Sequence, residues 1–279
     1  MEGAVYMAII SINNGYWGTK VKTDQKEFMF ESKIQQTLDE YETNVITLNN
    51  TQIVVGKGTH DIELNKTSSD VQRACVIMAL KKGGIQYAKV MSALPVNTYI
   101  NKSARGEYRE WLLGIEGIRE TKVYMEGAAA VLADLNWYKG KLIALMDIGG
   151  LTINCMIFED GKLVNNTATS LNLGTIILEN RIKTALQQSS LVNVPDYQIK
   201  YLIQQDNHII RTVVNQYVEE IKQELKKLEY PTNIQFRCTG GGAIRFYDVF
   251  KKCFNAYIHQ DSIWENVRGL HLMGQVVWG

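Results

Sequence analysis

The sequence predicts an α/β protein composed of two domains. Its 279 residues are more than one hydrophobic core usually organises, and they fit two α/β domains well. Apolar runs typical of buried strands alternate along the chain with segments whose apolar residues recur at helical spacing. Two strand–turn–strand units, near residue 13 and near residue 147, begin the two halves in the same way and indicate an ancient duplication.

The bulk composition is that of an ordinary globular protein. It is 46% hydrophobic and 21% charged, with only three prolines. A net charge of +1 gives no strong overall attraction to DNA or to an anionic membrane. The sequence shows neither a signal-peptide pattern nor an apolar run close to the roughly 20 residues of a membrane helix. We therefore expect a soluble, cytoplasmic protein that contacts no membrane and binds no specific DNA sequence by itself.

The cysteines point to a reducing compartment. They lack the CxxC spacing of metal and redox sites, which favours free, buried thiols. The four residues are Cys75, Cys155, Cys238 and Cys253.

The first half is predicted to alternate strands with helices. Mostly apolar or β-rich runs mark the strands, and apolar residues three to four positions apart mark the helices. The predicted strands are 4–12, 18–22, 44–49, 51–55, 87–94 and 121–125, and the predicted helices are 71–82 and 103–114. A further helix, rich in small residues that permit close approach of another backbone, is predicted to begin at Glu126.

The second half repeats the opening hairpin and then becomes mainly helical. The dipeptide Asp160-Gly161 is a hairpin signal, and Pro231 marks the end of a long helix. The predicted strands are 142–148, 153–158, 163–164 and 234–238, and the predicted helices are 175–187, 208–228 and one after residue 242. Residues 262–277 form the last segment of this half.

The most specific motif is the segment DIGGLT at residues 147–152, between two predicted strands. Glycines in a tight hairpin let backbone N–H groups line a concavity that cradles phosphate oxygens. The carboxylate of Asp147 can hold a hydrated Mg²⁺ ion, which prefers oxygen ligands. The hydroxyl of Thr152 can contact a phosphate. A plain hairpin turn without a ligand is the alternative, and this motif alone does not separate the two.

A second glycine turn, TGGGA at residues 239–243, follows a predicted strand and precedes a helix. Three glycines let a nucleoside lie almost on the backbone, and the helix N-terminus adds its positive dipole end. A flexible turn is the alternative. The segment is neither a GxGxxG nor a GxxxxGK[ST] motif.

The third turn is INNG at residues 12–15. The same hairpin argument applies to it, and Lys20, five residues after Gly15, is within reach of a β- or γ-phosphate bound there. As an isolated loop this segment is unremarkable.

In this order, the three turns resemble the two phosphate loops and the adenosine loop of the actin/Hsp70/sugar-kinase superfamily. Glu126 stands where that superfamily has its first interdomain connector, and residues 265–274 resemble the second. The resemblance covers nearly the whole chain. It implies an actin-like (ribonuclease H-like) duplicated fold that closes over a Mg-nucleotide, with domain I at 1–126 plus 255–279 and domain II at 127–254.

Further segments resemble bacterial plasmid-segregation actins of the ParM/StbA type. ALPV at 93–96 resembles the GLPV segment of that group, and QIVVG at 52–56 resembles one of its strands. Only about 65 residues separate Gly174 from Thr239, fewer than ParM-type proteins have. This implies that the outer subdomain of the second half is reduced or missing, with the shortening at about 188–230, as in the AlfA branch of the group.

The resemblance assigns roles to the residues of the three turns. It implies that ATP and Mg²⁺ are bound, that Asp147 orders the water around Mg²⁺, and that Glu126 positions or deprotonates the attacking water. Alternatively, Glu126 is only a helix N-terminal carboxylate, and Arg245 is either a partner that stacks on the purine or a solvated surface residue. The implied phosphate-binding residues are Asn13, Gly15, Lys20, Gly149, Gly150 and Thr152, and the implied adenosine-binding residues are Gly174, Thr239, Gly240, Gly241, Gly242 and Arg245.

One position departs from the superfamily pattern. Asn13 stands where the first phosphate loop usually has Asp, so the neutral amide accepts a hydrogen bond from a metal-bound water but carries no charge. This puts the rate of hydrolysis in doubt, though not nucleotide binding. Four basic residues of the shortened segment are predicted to form a solvated face rather than to contact the base: Arg181, Lys183, Lys222 and Lys226.

The resemblance implies a homopolymer filament whose assembly depends on nucleotide. Such a filament would segregate a low-copy plasmid through a small DNA-binding adaptor bound to the plasmid centromere. A small-molecule kinase of the same superfamily and a non-hydrolysing cytoskeletal scaffold remain as alternatives. The residues leave the preference between ATP and GTP open.

Overall fold

The chain folds into two compact units. A computed structural model describes residues 7–279 except 38, 40, 61, 62, 64, 191–194, 196, 197, 199, 200, 203–206 and 232. One unit runs up to Asp134 and includes Trp264–Gly279, and the other is Leu135–Ile263. The division predicted from sequence, at 126/127 and 254/255, stays a prediction.

The first unit contains two β-sheets and the helices that cover them. Its strands are β1 (Ala8–Asn14), β2 (Gly18–Thr23), β3 (Glu27–Glu31), β4 (Lys33–Gln36), β5 (Val45–Leu48), β6 (Thr51–Val55), β7 (Thr59–His60), β8 (Ala88–Leu94) and β9 (Ile118–Met125). Its helices are a short 3₁₀ turn (Lys66–Ser68), α1 (Asp70–Gly83), α2 (Val96–Ile100), α3 (Lys102–Leu113) and α4 (Ala128–Ala133).

The larger sheet of the first unit has the order β3-β2-β1-β8-β9. Strand β1 pairs antiparallel with β2 and parallel with β8, which leaves it central and explains its apolar sequence. Its residues Ile10 and Ile12 are fully buried and pack with Leu112 of α3 in one core. The smaller sheet has the order β5-β6-β4-β7.

Two helices of this unit begin and end where their sequences place capping residues. The side chain of Ser69 accepts a hydrogen bond from the Gln72 N–H at the start of α1, and Gly84 ends that helix in the left-handed conformation. The side chain of Asn101 caps α3 in the same way. Both helices were therefore predictable to within one residue at each end.

Strand β3 and the start of the small-residue helix are two of the features that differ from the sequence-based prediction. Strand β3 was not predicted, because it is a half-buried edge strand whose sequence, EFMFE, mixes charged and apolar residues. The small-residue helix begins at Ala128 rather than at Glu126, because the Glu126 N–H donates to the Leu94 carbonyl and so extends the sheet pairing. Gly127, at φ 82°, then turns the chain into α4.

The second unit contains one sheet and two long helices. Its strands are β10 (Leu142–Ile148), β11 (Ile153–Glu159), β12 (Lys162–Leu163), β13 (Thr169–Leu171), β14 (Gln235–Thr239) and β15 (Tyr257–Ile258). The helices that follow α4 along the chain are α5 (Leu135–Tyr138), α6 (Thr175–Ser190), α7 (His208–Lys226), α8 (Gly241–Arg245), α9 (Tyr247–Phe254) and α10 (Ser262–Trp278), of which α10 belongs mostly to the first unit.

The sheet of the second unit has the order β12-β11-β10-β14-β15, with β13 paired to β11. Strands β10 and β14 are parallel neighbours, so their carboxyl ends lie at the same edge. Leu178 and Ile182 of α6 and Tyr217 of α7 pack with Met146 and Ile153 of the sheet in one core.

The region between Gly174 and β14 is helical where the structure describes it. It contains α6 and α7, and none of its described residues forms a strand. Part of the predicted shortened segment, about 188–230, lies outside the described residues. The first unit, by contrast, carries a second sheet beside its main one. The described part of the second unit therefore agrees with the reduced outer subdomain that the sequence predicts.

Candidate functional site

The hairpin at residues 147–152 connects the two central strands of the second unit. Ile148 pairs with Ile153, and the Gly149 N–H donates to the Thr152 carbonyl at 2.9 Å, so the turn is closed. Asp147 is buried and is the residue of β10 before Ile148. Its side chain therefore lies at the carboxyl end of a central strand, where α/β sheets commonly bind ligands.

The carbonyl groups of this hairpin face helix α6. The N–H groups of Gly174, Thr175 and Ile176 donate to the carbonyls of Leu151, Gly149 and Gly150, at 2.9 to 3.0 Å. The first turn of α6 thus uses its free amides to fix the conformation of the loop. Gly174 is required there because a Cβ at this position would collide with the Gly150 and Leu151 backbone.

Three N–H groups of the same hairpin are left for another partner. Within the described part of the chain, the amides of Gly150, Leu151 and Thr152 donate to no carbonyl or side chain. All three residues are buried. Buried backbone N–H groups are almost always paired in native proteins. Since the carbonyls of the loop are taken by α6, its amides form a set of donors suited to an anion.

The TGGGA turn lies directly against this hairpin. Asp147 and Thr239 occupy paired positions on β10 and β14. Gly240 adopts φ 87° and ψ 169°, and a Cβ there would approach an Asp147 carboxylate oxygen to 2.6 Å. A Cβ on Gly242 would lie 2.6 Å from the Thr175 Cγ2 atom. The glycines therefore allow the turn to contact both the Asp147 carboxylate and the start of α6.

Thr239 has a structural role that the sequence did not indicate. Its hydroxyl donates to the Ser262 carbonyl at 3.0 Å, and the Gly240 N–H donates to the same oxygen at 3.1 Å. Both hydrogen bonds fix the start of the TGGGA turn. Gly241 begins helix α8 immediately afterwards.

Arg245 is held by an ion pair within the second unit. Its Nε donates to an oxygen of Glu179 on α6. The Glu179 carboxylate is almost completely buried, whereas the Arg245 side chain is partly exposed. Sequence analysis placed Arg245 at this site but missed Glu179, whose only local signal is its position one turn after Thr175 on the buried side of α6.

The INNG turn in the first unit is fixed by a chain of side-chain hydrogen bonds. Thr19 donates to the Asn14 side-chain oxygen at 2.8 Å and lies 3.0 Å from the Ser32 hydroxyl. Ser32 in turn donates to the Gly15 carbonyl at 2.5 Å, and Asn14 donates to the Gln72 carbonyl at 2.9 Å. The turn is thus anchored to β2 and to α1.

Lys20 is placed beside this turn. It is paired with Asn13 across the β1–β2 ladder. Its ammonium donates to the Gly18 carbonyl at 3.1 Å and would lie 3.8 Å from a Cβ on Gly15. The structure therefore brings together three of the predicted phosphate-binding residues: Asn13, Gly15 and Lys20.

Glu126 forms a buried ion pair that the sequence did not reveal. Its Oε1 accepts a hydrogen bond from the Lys66 ammonium at 2.8 Å, and the same ammonium donates to the Asn14 carbonyl at 2.7 Å. Burial disfavours the charged lysine, but the charge of Glu126 outweighs it, so the pKa of Lys66 is raised. The two residues lie 60 positions apart in the sequence, so no local sequence pattern predicts that they pair.

The basic residues of the shortened segment contact acidic neighbours. Arg181 on α6 pairs with Glu220 on α7 at 2.5 Å, and Lys222 pairs with Glu219 at 2.9 Å. Lys226 is exposed. These pairs agree with the predicted solvated face.

The remaining sequence expectations concern thiols, metals and membranes. Cys75, Cys155 and Cys238 are buried free thiols, while Cys253 is partly exposed. The described residues contain no group of three or more His, Cys, Asp or Glu side chains arranged to hold a metal. Over the same residues, the structure has no helix that combines the length and the apolar character needed to cross a membrane.

Comparison of the whole chain with solved structures shows its fold. It superposes on the archaeal actin homolog Ta0583 in complex with ADP with a TM-score of 0.78 and 16% identity, covering 97% of this chain and 100% of that one. It superposes on ParM from a 15-stranded Clostridium botulinum filament with a TM-score of 0.77 and 16% identity, covering 98% and 100%. For MreB 5 of Spiroplasma citri bound to AMPPNP, the TM-score is 0.73 at 14% identity, covering 98% and 97%.

No protein-family model matches the sequence, and no curated protein sequence matches it. The structural likeness nevertheless extends over nearly the whole of each chain. The protein therefore has the actin-like fold, as the three glycine turns predict.

Proposed function

We propose that this protein is a Mg-dependent ATPase that polymerises into filaments and segregates a low-copy bacterial plasmid. The observation that carries the nucleotide-binding part is the set of three buried N–H groups in the hairpin at residues 147–152, which have no acceptor among the described residues. Ta0583 and MreB 5, whose fold this chain shares, were solved with ADP and AMPPNP. Both facts support a nucleoside phosphate as the ligand.

The second unit contains groups suited to the phosphates, the Mg²⁺ ion and the nucleoside of a Mg-nucleotide. The amides of Gly150, Leu151 and Thr152 suit phosphate oxygens, and Asp147 provides a carboxylate for a hydrated Mg²⁺. We assign the nucleoside to the turn formed by Gly240, Gly241 and Gly242, together with Gly174, because the glycines let this turn pack directly against Asp147 and the start of α6. We assign the stacking contact with the purine to Arg245, whose guanidinium is held by Glu179.

The first unit supplies the other proposed contacts. Asn13, Gly15 and Lys20 bind the β- and γ-phosphates, and Glu126 positions the attacking water. Bound ATP supplies the γ-phosphoryl group, and Mg²⁺ neutralises charge on the phosphates. The task of the protein is mainly orientation, because phosphoryl transfer needs little covalent chemistry from side chains.

Filament formation is the proposed output of nucleotide binding. ATP can favour assembly only by binding the polymer-competent state more tightly than the monomer. The solved ParM structure that resembles this chain is a filament, which supports self-association through a head-to-tail interface. The remaining proposed features are a cytoplasmic location and a small DNA-binding adaptor that joins the filament to the plasmid centromere. Because its second unit is shortened, we propose that the chain belongs to the AlfA branch.

Right-angle light scattering with simultaneous phosphate release tests this proposal. The purified protein is compared in Mg-ATP, Mg-GTP, Mg-ADP and without nucleotide. Scattering that rises with ATP and is followed by phosphate release supports the proposal, and the GTP sample shows whether the site accepts both bases. Asp147→Ala should remain flat, whereas Asp248→Ala, which changes an exposed aspartate on α9, should behave like the wild type.

Two results would overturn the proposal. Phosphate transfer that occurs only after a small-molecule acceptor is added, without scattering, would indicate a metabolite kinase. Assembly that is independent of nucleotide and releases no phosphate would indicate a scaffold.

A further inference from the structure

The Lys66–Glu126 pair is the most deeply buried ion pair described in the first unit. The side chain of Lys66 is 1% exposed and that of Glu126 is 11% exposed. The ammonium lies 2.8 Å from Glu126 Oε1. Lys66 belongs to a 3₁₀ turn before α1, and Glu126 follows the last residue of β9, so two distant segments of the chain meet here.

Lys66 also contacts the INNG turn. Its ammonium donates to the Asn14 carbonyl at 2.7 Å and lies 5.6 Å from the centre of the Tyr16 ring. Asn14 is itself fixed by Thr19 and by the Gln72 carbonyl. One ammonium group thus ties the carboxylate of Glu126 to a turn that the surrounding residues hold rigid.

Stability alone does not account for this arrangement. Taking two charges out of water costs several kcal/mol per ion, and buried ion pairs can often be replaced by apolar residues without loss of stability. Burial disfavours the charge of Lys66, whereas Glu126 and, after it, Tyr108 and Tyr16 favour that charge, so the lysine is kept charged by the groups around it. A charged pair retained in such a place points to a requirement for a fixed carboxylate.

We propose that Lys66 is a positioning residue that fixes the carboxylate of Glu126 relative to the Asn13–Gly15 turn. This inference rests on the proposed ATPase function, in which Glu126 orients the attacking water. Lys66 acts through Glu126 and does not contact the nucleotide. Its loss should therefore lower kcat much more than it weakens ATP binding.

The test compares Lys66→Met with Lys57→Met in the full-length protein. Lys57 also pairs with a glutamate, Glu42, but its side chain is 60% exposed, so it controls for loss of a lysine at the surface. We expect Lys66→Met to lower kcat for ATP by about 10²-fold, the lower range for positioned acid–base groups. The dissociation constant of a fluorescent ATP analogue should change less than about threefold (~0.6 kcal/mol).

The split between kcat and ATP binding separates positioning from a purely structural role. A structural defect weakens ATP binding together with kcat, whereas a displaced Glu126 carboxylate lowers kcat alone. Lys57→Met should keep the wild-type kcat and the wild-type affinity. A Lys66→Met protein with unchanged kcat overturns the inference, and so does one whose loss of ATP binding matches its loss of kcat.

A second comparison covers the case in which Lys66→Met does not fold. Glu126→Gln and the double variant Lys66→Met/Glu126→Gln both remove the charge of the buried carboxylate, and a residue that acts only through Glu126 adds nothing once Glu126 is changed. Equal kcat in the two variants supports the inference, and a further fall of tenfold or more overturns it. If the wild-type protein binds ATP but releases no phosphate, the proposed hydrolysis fails first, and the role of Lys66 fails with it.

Discussion

Individual side chains in the second unit show how a charge is held next to the glycine turns. Arg245 is the partly exposed member of its ion pair, and Glu179 is the buried one. Arg245 contributes a positive charge that offsets part of the cost of burying the Glu179 carboxylate. The guanidinium needs this pairing less, because it is partly exposed to water.

Removal of Arg245 should therefore destabilise the fold measurably. We expect Arg245→Ala to lower the free energy of unfolding by about 1–3 kcal/mol, since a buried acceptor loses its charged partner. Lys222→Ala, which breaks the more exposed Lys222–Glu219 pair, should stay within about 0.5 kcal/mol. Urea unfolding without nucleotide measures both, and equal small losses would show that the buried carboxylate finds another donor.

We expect the free energy of unfolding to depend on pH, because two histidines have lowered pKa values in the folded protein. Burial lowers the pKa of His271 below its ordinary value of 6.5, and hydrogen bonding to Asp24 opposes this only in part. Burial and the charge of Lys33 likewise lower the pKa of His60. In both cases the unfolded chain binds the proton more tightly, so this stability is present above pH 6.5 and is lost as the pH falls through and below that value.

Urea midpoints at pH 7.5 and pH 5.5 test the two histidines. The wild-type midpoint should be lower at pH 5.5, and His271→Gln should show a smaller difference between the two pH values. His60→Gln should likewise show a smaller difference, because burial also lowers the pKa of His60. A larger difference in His271→Gln than in the wild type would show that the assigned sign is wrong.

At the scale of secondary-structure elements, glycines allow two elements to pack closely, because a glycine has no side chain to keep the neighbouring backbone away. Gly242 lets α8 contact both the end of β10 and the start of α6, since a Cβ there would lie 2.5 Å from Ile148 Cγ2. In the first unit, Gly269 of α10 likewise lies against the Ala129 backbone of α4. The small residues predicted to permit close approach are thus used inside that unit.

Gly242→Ala should consequently disturb both packing and nucleotide binding. We expect a loss of about 1–3 kcal/mol in the free energy of unfolding, as for other overpacked positions, together with weaker binding of ATP. Gly106→Ala is the matched control, because Gly106 lies inside α3 with no atom near its missing Cβ. That control should leave ATP binding unchanged and raise stability slightly, as alanine is the better helix former. Unchanged ATP binding in Gly242→Ala would contradict the proposed nucleoside surface.

Elements with local signals were predictable, and elements defined by tertiary pairing were not. Strands β1, β8 and β10 are mostly apolar runs, and α1 and α3 carry capping residues in the sequence itself. Strand β3 has no such run, because one of its edges is free of a partner strand within this sheet. The turns at residues 147–152 and 239–243 were predicted from their glycines. The pairings of Lys66 and Glu179 were not predicted, because each pairs with a residue distant in sequence.

At the scale of the whole molecule, the first unit is discontinuous in sequence. The chain leaves it after Asp134 and returns at Trp264. Helix α10 then closes it through several side-chain contacts. Among them, Asn266 accepts from the Gly127 N–H, Arg268 pairs with Glu27, and His271 contacts Asp24. Since nucleotide contacts are proposed for both units, we expect ligand binding to stabilise both of them.

Mg-ATP should therefore raise the unfolding temperature of the entire chain. A ligand that binds only the folded state at a hundred times its dissociation constant contributes about 2.7 kcal/mol, which corresponds to a rise of roughly 5–10 °C for a chain of this size. Addition of EDTA should reverse most of the rise if Mg²⁺ is held jointly by the phosphates and Asp147. Asp147→Ala should show a small rise that EDTA does not change. A full rise in Asp147→Ala that EDTA removes would place the metal on other residues, and the proposed role of Asp147 would then be wrong.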